Sequence, residues 1–276
     1  MKNWLSHAGM KLIHASYPLT GRVWRFCRRH FFPFLRVVEL SSDGAPESMM
    51  DHWLSDPEHR EMLEDLRAYT SLGEESFRRR ILRYPEVHHE SEFRWYDPKS
   101  YEELVWFYRS SSTYIFNNAA HSHWPKLDVI QGGHILDYGA GAGSNTIYLA
   151  RRGCDVDFME IGRIQADFIH FRARRHGLAN VNEVFPFWEG RFDPVRSIFG
   201  TYDAIVACHV LEHIPDYHLV VRHCIDHLRP GGLILEESPF SDSAKDIAIH
   251  LKAGMTMKEA MVGMREVEKG VWKKPD

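Results

Sequence analysis

The stretch "HILDYGAGAGSNTIYLARRGCDVDFMEIG", residues 134–162, decides how this chain is read. A short apolar run ends in Asp137, glycines follow at every second position (Gly139, Gly141, Gly143), and a second apolar run closes on Glu160. The order is strand, glycine turn, helix ("SNTIYLARRG") and strand ("DVDFMEI"). Glycines remove side chains where backbone must approach a ligand, and they permit dihedrals that other residues resist. In a parallel sheet, ligands sit outside the carboxyl ends of the strands, where helix N-terminal N–H groups also point.

The same rhythm continues outward. "RIQADFIHFRARRHG" reads as a helix closed by glycine, "VNEVFPF" as a third strand and "YDAIVACHV" as a fourth. "PDYHLVVRHCIDHLRPGG" reads as a helix with a Pro-Gly-Gly stop, and "LILEES" as a fifth strand. Strands separated by helices of this length imply right-handed crossovers and an α/β, doubly wound, mostly parallel sheet with helices on both faces.

A nicotinamide dinucleotide site would need G-x-G-x-x-G, but Ser144 stands where its third glycine belongs and Gly143 comes one residue early. Asp137 would also bring a like charge beside a pyrophosphate in a poorly solvated crevice. A carboxylate there suits an ammonium group, reached directly or through water.

These residues resemble motif I of the class I S-adenosylmethionine-dependent methyltransferases, Asp137-x-Gly139-x-Gly141-x-Gly143. The resemblance extends through Glu160, "YDAIVACHVLEHIPD" and "LRPGG", over residues 133–238. It implies a Rossmann-like methyltransferase sheet, S-adenosylmethionine as cofactor and a small-molecule methyl acceptor, with O- or N-methylation expected. By the same resemblance Gly139, Ala140 and Gly141 would lie against the methionine part, with Asp137 near its ammonium end. Glu160, with two acceptor oxygens, would take the ribose hydroxyls, and Ile161 would cover one face of the adenine. Where the family often places a polar residue for the adenine amino group, this chain has Phe185, Pro186, Phe187 and Trp188. Phe187 and Trp188 are either stacking partners of the base or core residues.

Cys208 and His209 fall where the family contacts cofactor and substrate, and His209 is the best-placed base within the sheet domain. His209-x-x-Glu212-His213 is similar to an E-x-x-E-H metal pattern of ubiquinone O-methyltransferases and small-RNA terminal methyltransferases. His209 replaces its first glutamate, V-L-E-H also occurs in metal-free members, and no metal is expected.

Residues 1–126 read as a mainly helical amino-terminal arm and cap, and 127–276 as the cofactor-binding domain. "PEHREMLEDLRAYTSL", "EESFRRRILRY" and "SYEELVWFYRSSSTYIFNNAA" carry apolar residues at helical spacing. Segments before the first strand commonly form a lid in this family, so Tyr108, Arg109 and Tyr114 are candidate substrate contacts and His121 a second candidate base. Each is otherwise a packed or solvated lid position, as are His88, His89 and Glu90 as loop residues. Basic and aromatic residues interleave before residue 41, from Lys2 and Trp4 to Phe34 and Arg36. Such an arm would touch an anionic membrane surface peripherally or clamp an acidic ligand, or else pack its aromatics on the main domain and leave its arginines in water. Pro18, Gly21 and Pro33 interrupt any long amphipathic helix and favour packing.

The chain has 276 residues, 44% hydrophobic and 26% charged, with a net charge of −4. That is an ordinary globular composition with no global field to gather nucleic acid, and none is expected as a partner. Four cysteines stand far apart without a C-x-x-C pair, which disfavours a disulfide scaffold or zinc ribbon and suits a cytoplasmic setting. No apolar run reaches the roughly eighteen residues of a spanning helix, and no secretory signal pattern opens the chain. After the fifth strand, "SAKDIAIHLKAG" and "TMKEAMVGMREVEKG" read as helices and "GVWKK" as a short strand. The sheet is then short of the family's seven strands unless residues 35–40 add one, and open edges would fit either a monomer or a homodimer. A catalytically idle scaffold of the same fold is the alternative reading of function.

Overall fold

The computed structural model describes residues 55–77, 115, 123–188, 191–193, 195–240 and 254–276. Seven strands form one sheet: β1 (His134–Tyr138), β2 (Asp155–Met159), β3 (Val181–Val184), β6 (Tyr202–Cys208), β7 (Leu228–Glu237), β8 (Arg265–Glu268) and β9 (Val271–Lys273). Their order is β3-β2-β1-β6-β7-β9-β8. The first five pair in parallel and β9 pairs antiparallel with β7 and β8. The chain runs outward from β1 to β3 and then returns to the other side of β1 as β6. The reversal of strand order therefore lies between β1 and β6, and in open α/β sheets the carboxyl ends at such a reversal are where ligands bind.

Alternation along each strand divides the core in two. Ile135, Val156, Ala204, Val206 and Leu235 pack with Leu149 and Ala150 of α2 (Ser144–Arg151). Leu136, Tyr138, Ile205 and Ala207 face the other way, toward Val220, Val221 and Cys224 of α4 (Tyr217–Asp226). Phe158 of β2 is covered by Ala166 and Ile169 of α3 (Arg163–Arg175). Both faces of the sheet are thus covered, as the near-continuous apolar strands require.

Of the region before residue 127, α1 (Pro57–Thr70) is described. Asp56 caps it by accepting from the Glu58 N–H at 2.9 Å, Pro57 opens it, and Ser71 ends it in the left-handed region at φ 54°. Its buried face, Met62, Leu63 and Leu66, packs on Ile164 and Phe168 of α3. The other cap helices lie largely outside the described residues, and the strand considered at 35–40 lies wholly outside them.

Two expectations are corrected. "VNEVFPF" is not one strand: β3 stops at Val184, and β4 (Phe187–Trp188) pairs with β5 (Arg191–Phe192) in a separate ribbon. Pro186 lacks the N–H that would continue the ladder, so pairing ends before it. "TMKEAMVGMREVEKG" is not one helix, and the sheet is not short of strands. Thr256 and Glu259 form a capping box for the single turn of α5 (Met257–Ala260). Gly263 then turns at φ +87°, and residues 265–273 make the β8–β9 hairpin. Gly270 carries that hairpin at φ +74°, with a Cβ position 2.4 Å from the Glu236 carbonyl oxygen, where only glycine fits. The edge strand β8 exposes Arg265, Glu266 and Glu268, charges that discourage further pairing. Among the described residues, no helix is long and apolar enough to cross a membrane.

Candidate functional site

The turn after β1 holds its shape through internal bonds. The N–H groups of Gly139 and Ala140 both donate to the Met159 carbonyl, at 2.9 and 3.0 Å, and the Gly143 N–H donates to the Ala140 carbonyl at 2.8 Å. Gly139, Gly141 and Gly143 have φ of +77°, +57° and +77°, the left-handed region where a side chain is strained. A Cβ on Gly139 would meet Val210 Cγ2 at 2.5 Å, and one on Gly143 would meet Ile169 Cγ1 at 2.7 Å. The first of these joins the two sides of the strand-order reversal, because Val210 belongs to the loop after β6.

Glu160, partly buried at the end of β2, reaches across the turn. Its Oε2 accepts from the Gly141 N–H and its Oε1 from the Gly162 N–H, both at 2.7 Å. Burial pushes this carboxyl up to about 7, against the pull of the Gly162, Gly141 and Ile161 amides, and the charge of Asp137 adds to the rise. Each carboxylate oxygen has two lone pairs, so each retains acceptor capacity.

Asp137 is 1% exposed, and its Oδ2 accepts from the Thr146 hydroxyl at 2.5 Å, tying β1 to α2. Burial raises it to about 6 in spite of that bond. Asp137 is therefore a buried carboxylate at the end of β1, bonded to α2. Ala140 and Ile161 are half-buried at the turn.

Across the crevice, the Cys208 thiol is half-buried at the end of β6, where burial and the nearby Asp137, Glu237 and Glu236 carboxylates hold it protonated. His209 follows at φ +52°, a strained backbone for a non-glycine residue, with its N–H donating to the Glu237 carbonyl at 2.7 Å. Its ring is exposed, with Nδ1 3.7 Å from Glu212 Oε1 and Nε2 3.9 Å from Glu237 Oε2. Glu212 is the main reason its pKa is raised; burial opposes the rise and Glu237 assists it. Glu212 itself is fully buried, with neither carboxylate oxygen hydrogen-bonded among the described residues, and His213 Nε2 stands 3.8 Å from its Oε1.

The fold thus brings Asp137, Gly139, Ala140, Gly141, Glu160, Ile161, Cys208 and His209 to one end of the sheet, on the facing ends of β1, β2 and β6. Phe187 and Trp188 lie in the separate β4–β5 ribbon. Tyr108, Arg109, Tyr114 and His121 lie outside the described residues, as do His88, His89 and Glu90. Sequence reasoning missed Thr146 as the partner of Asp137, Val210 as the neighbour of Gly139, and the buried pair Asp65 and Arg172. A charged residue on the apolar face of α1, between Met62, Leu63 and Leu66, was the available signal for the last.

A family model described as a methyltransferase domain matches residues 122–263, half of the chain. The ubiquinone biosynthesis O-methyltransferase of Bordetella avium (strain 197N) is 33% identical over 109 residues, 38% of this chain and 42% of that protein. The protein of the same name from Vibrio parahaemolyticus serotype O3:K6 (strain RIMD 2210633) is 29% identical over 128 residues, 46% of this chain and 51% of that protein. The chain spans about half the length of the curated relatives it matches. Among solved structures, the N-methyltransferase NodS from Bradyrhizobium japonicum WM9 in complex with S-adenosyl-L-homocysteine aligns with a TM-score of 0.42 at 18% identity, over 54% of this chain and 82% of that one.

Proposed function

The chain belongs to the methyltransferase-domain family, within the class I S-adenosylmethionine-dependent methyltransferases, and from that premise we propose that it methylates a small molecule at oxygen. The observation that carries cofactor binding is the Glu160 clasp. A carboxylate with spare lone pairs, held by Gly141 and Gly162 at the end of β2, suits two hydroxyl donors of a sugar. The charge of the site fits as well. Asp137 and Glu160 are both raised by burial, so a ligand bearing sulfonium and ammonium charges would relieve them and a diphosphate would aggravate them.

When bound, S-adenosylmethionine supplies a methyl group already activated by its sulfonium. What remains for the protein is to orient the acceptor, exclude water and accept a proton where the acceptor carries one. His209 suits the last task. Its strained backbone turns the ring out from the end of β6, and Glu212 and Glu237 stand near its two nitrogens to favour the imidazolium that forms. Cys208, kept as a thiol, is no competing nucleophile. The names of the curated relatives support an oxygen acceptor, and a hydroxyl acceptor gives His209 a proton to remove. Selection of the acceptor falls to the segment containing Tyr108, Arg109, Tyr114 and His121. The free cysteines Cys154, Cys208 and Cys224 suit a cytoplasmic setting.

The test incubates the purified chain with methyl-labelled cofactor and a panel of phenols, carboxylic acids and amines, followed by mass spectrometry. Labelled product on a phenol, lost in the His209→Asn variant, is expected. Tight cofactor binding without transfer to any acceptor would leave an idle scaffold as the function.

A further inference from the structure

At the glycine turn, one buried guanidinium joins three segments distant in sequence. Arg172 of α3 is 4% exposed; its Nε donates to Asp65 Oδ2 at 3.0 Å and its Nη1 to the Ala142 carbonyl oxygen at 3.0 Å. Asp65, fully buried in α1, also meets His176 Nε2 at 2.8 Å and Arg175 Nε at 3.0 Å. Ala142 lies inside the turn, and its methyl packs in the same cluster as Met62, Leu63 and Leu66 of α1 and Ile164 and Phe168 of α3. The residue after it, Gly143, has no room for a Cβ against Ile169 of the same helix. The Ala142 carbonyl is therefore held by the Arg172 donor, and the next residue, Gly143, is closely approached by the Ile169 side chain of the same helix.

A buried guanidinium stays in place only while a carboxylate balances it, because an unpaired charge costs several kcal/mol and draws the side chain toward water. Asp65 provides that balance from α1. If α1 leaves, Arg172 loses its counter-charge and Ala142 loses its donor. The turn that presents Gly141 to Glu160 then loses that support. We propose that Asp65 is a positioning residue for the cofactor turn, acting through Arg172, so that docking of α1 and occupancy of the crevice are linked equilibria. The inference rests on the reading that this turn holds S-adenosylmethionine. Linkage is reciprocal: whatever α1 docking contributes to cofactor affinity, the cofactor returns to α1.

The experiment is amide hydrogen exchange on the full chain with and without S-adenosyl-L-homocysteine, together with calorimetric titration of the same ligand. In the wild-type chain, the ligand slows exchange both in the turn (139–144) and in α1 (57–70). In Arg172→Lys, whose single ammonium pairs with Asp65 but cannot also reach Ala142, affinity falls about tenfold and the ligand no longer slows exchange in α1. A purely structural ion pair would leave both quantities as in the wild type, since the charge is kept. Ligand protection confined to the turn in the wild-type chain, a measurement needing no variant, overturns the linkage, as does wild-type affinity in Arg172→Lys. A wild-type chain that binds no ligand removes the cofactor reading itself, an outcome distinct from either.

Discussion

At pH 8, replacing Glu160 by glutamine should lower ligand affinity without lowering folding stability. Burial lifts the carboxyl from 4.5 to about 7 in the folded chain. A group whose folded pKa is raised contributes stability that is full below its unfolded pKa and lost as pH rises through the folded value. At pH 8 the ionised form therefore costs the ligand-free fold up to roughly 3 kcal/mol, at about 1.36 kcal/mol per pKa unit. Glutamine removes that cost. It keeps one acceptor for the Gly141 and Gly162 amides and leaves the other unsatisfied, a loss of about 1–2 kcal/mol. The ligand-free variant should thus unfold at an equal or higher temperature than wild type at pH 8, and at a lower one at pH 5. Affinity falls, because hydrogen bonds from ribose hydroxyls to a charged acceptor are worth about 1.5–3 kcal/mol, or roughly 10- to 150-fold in Kd. Calorimetric titration with S-adenosyl-L-homocysteine and thermal unfolding at the two pH values measure both arms. Unchanged affinity removes Glu160 from the site. A large fall in unfolding temperature at pH 8 refutes the burial account of its pKa.

Three further outcomes are expected. His209→Asn, chosen because asparagine tolerates the left-handed backbone at φ +52°, should slow transfer to a phenol by roughly 10²–10⁴ while ligand affinity stays within a few-fold; equal losses in both would deny His209 the role of base. Gly139→Ala should destabilise the chain by roughly 2–4 kcal/mol, from the positive φ and the contact with Val210 together; urea titration should show Val210→Ala restoring part of the loss, and a wild-type midpoint for the single variant would contradict the close approach. Thr146→Val takes from Asp137 the bond that limits its rise to about 6, so its cost in stability should be at least about 1 kcal/mol greater at pH 8 than at pH 5, and the reverse dependence would show that Asp137 is not the group affected.

Much of this molecule is local in origin. The alternation of strands and helices from residue 134, the glycine turn, and Asp137 and Glu160 at strand ends are patterns that act within a few residues, through backbone dihedrals and side-chain periodicity. Reading them along the chain placed both carboxylates and His209 at one end of one sheet. Tertiary structure decided what local pattern could not carry. Met257, Met261 and Met264 keep a helical spacing, yet residues 265–273 turn into a hairpin because Val271 and Trp272 have β7 to pair with. That Asp137 is 1% exposed and bonded to the Thr146 hydroxyl is likewise legible only in the folded chain. The glycine at 139 looks reserved for a cofactor, and its Cβ position is taken by Val210, which lies 71 positions later in the sequence. The support of the turn needs Asp65, Ala142 and Arg172 to meet, and no window of sequence contains all three. Close packing and buried charge balance are properties of what surrounds an atom in space, so they exist only once distant segments have been brought together.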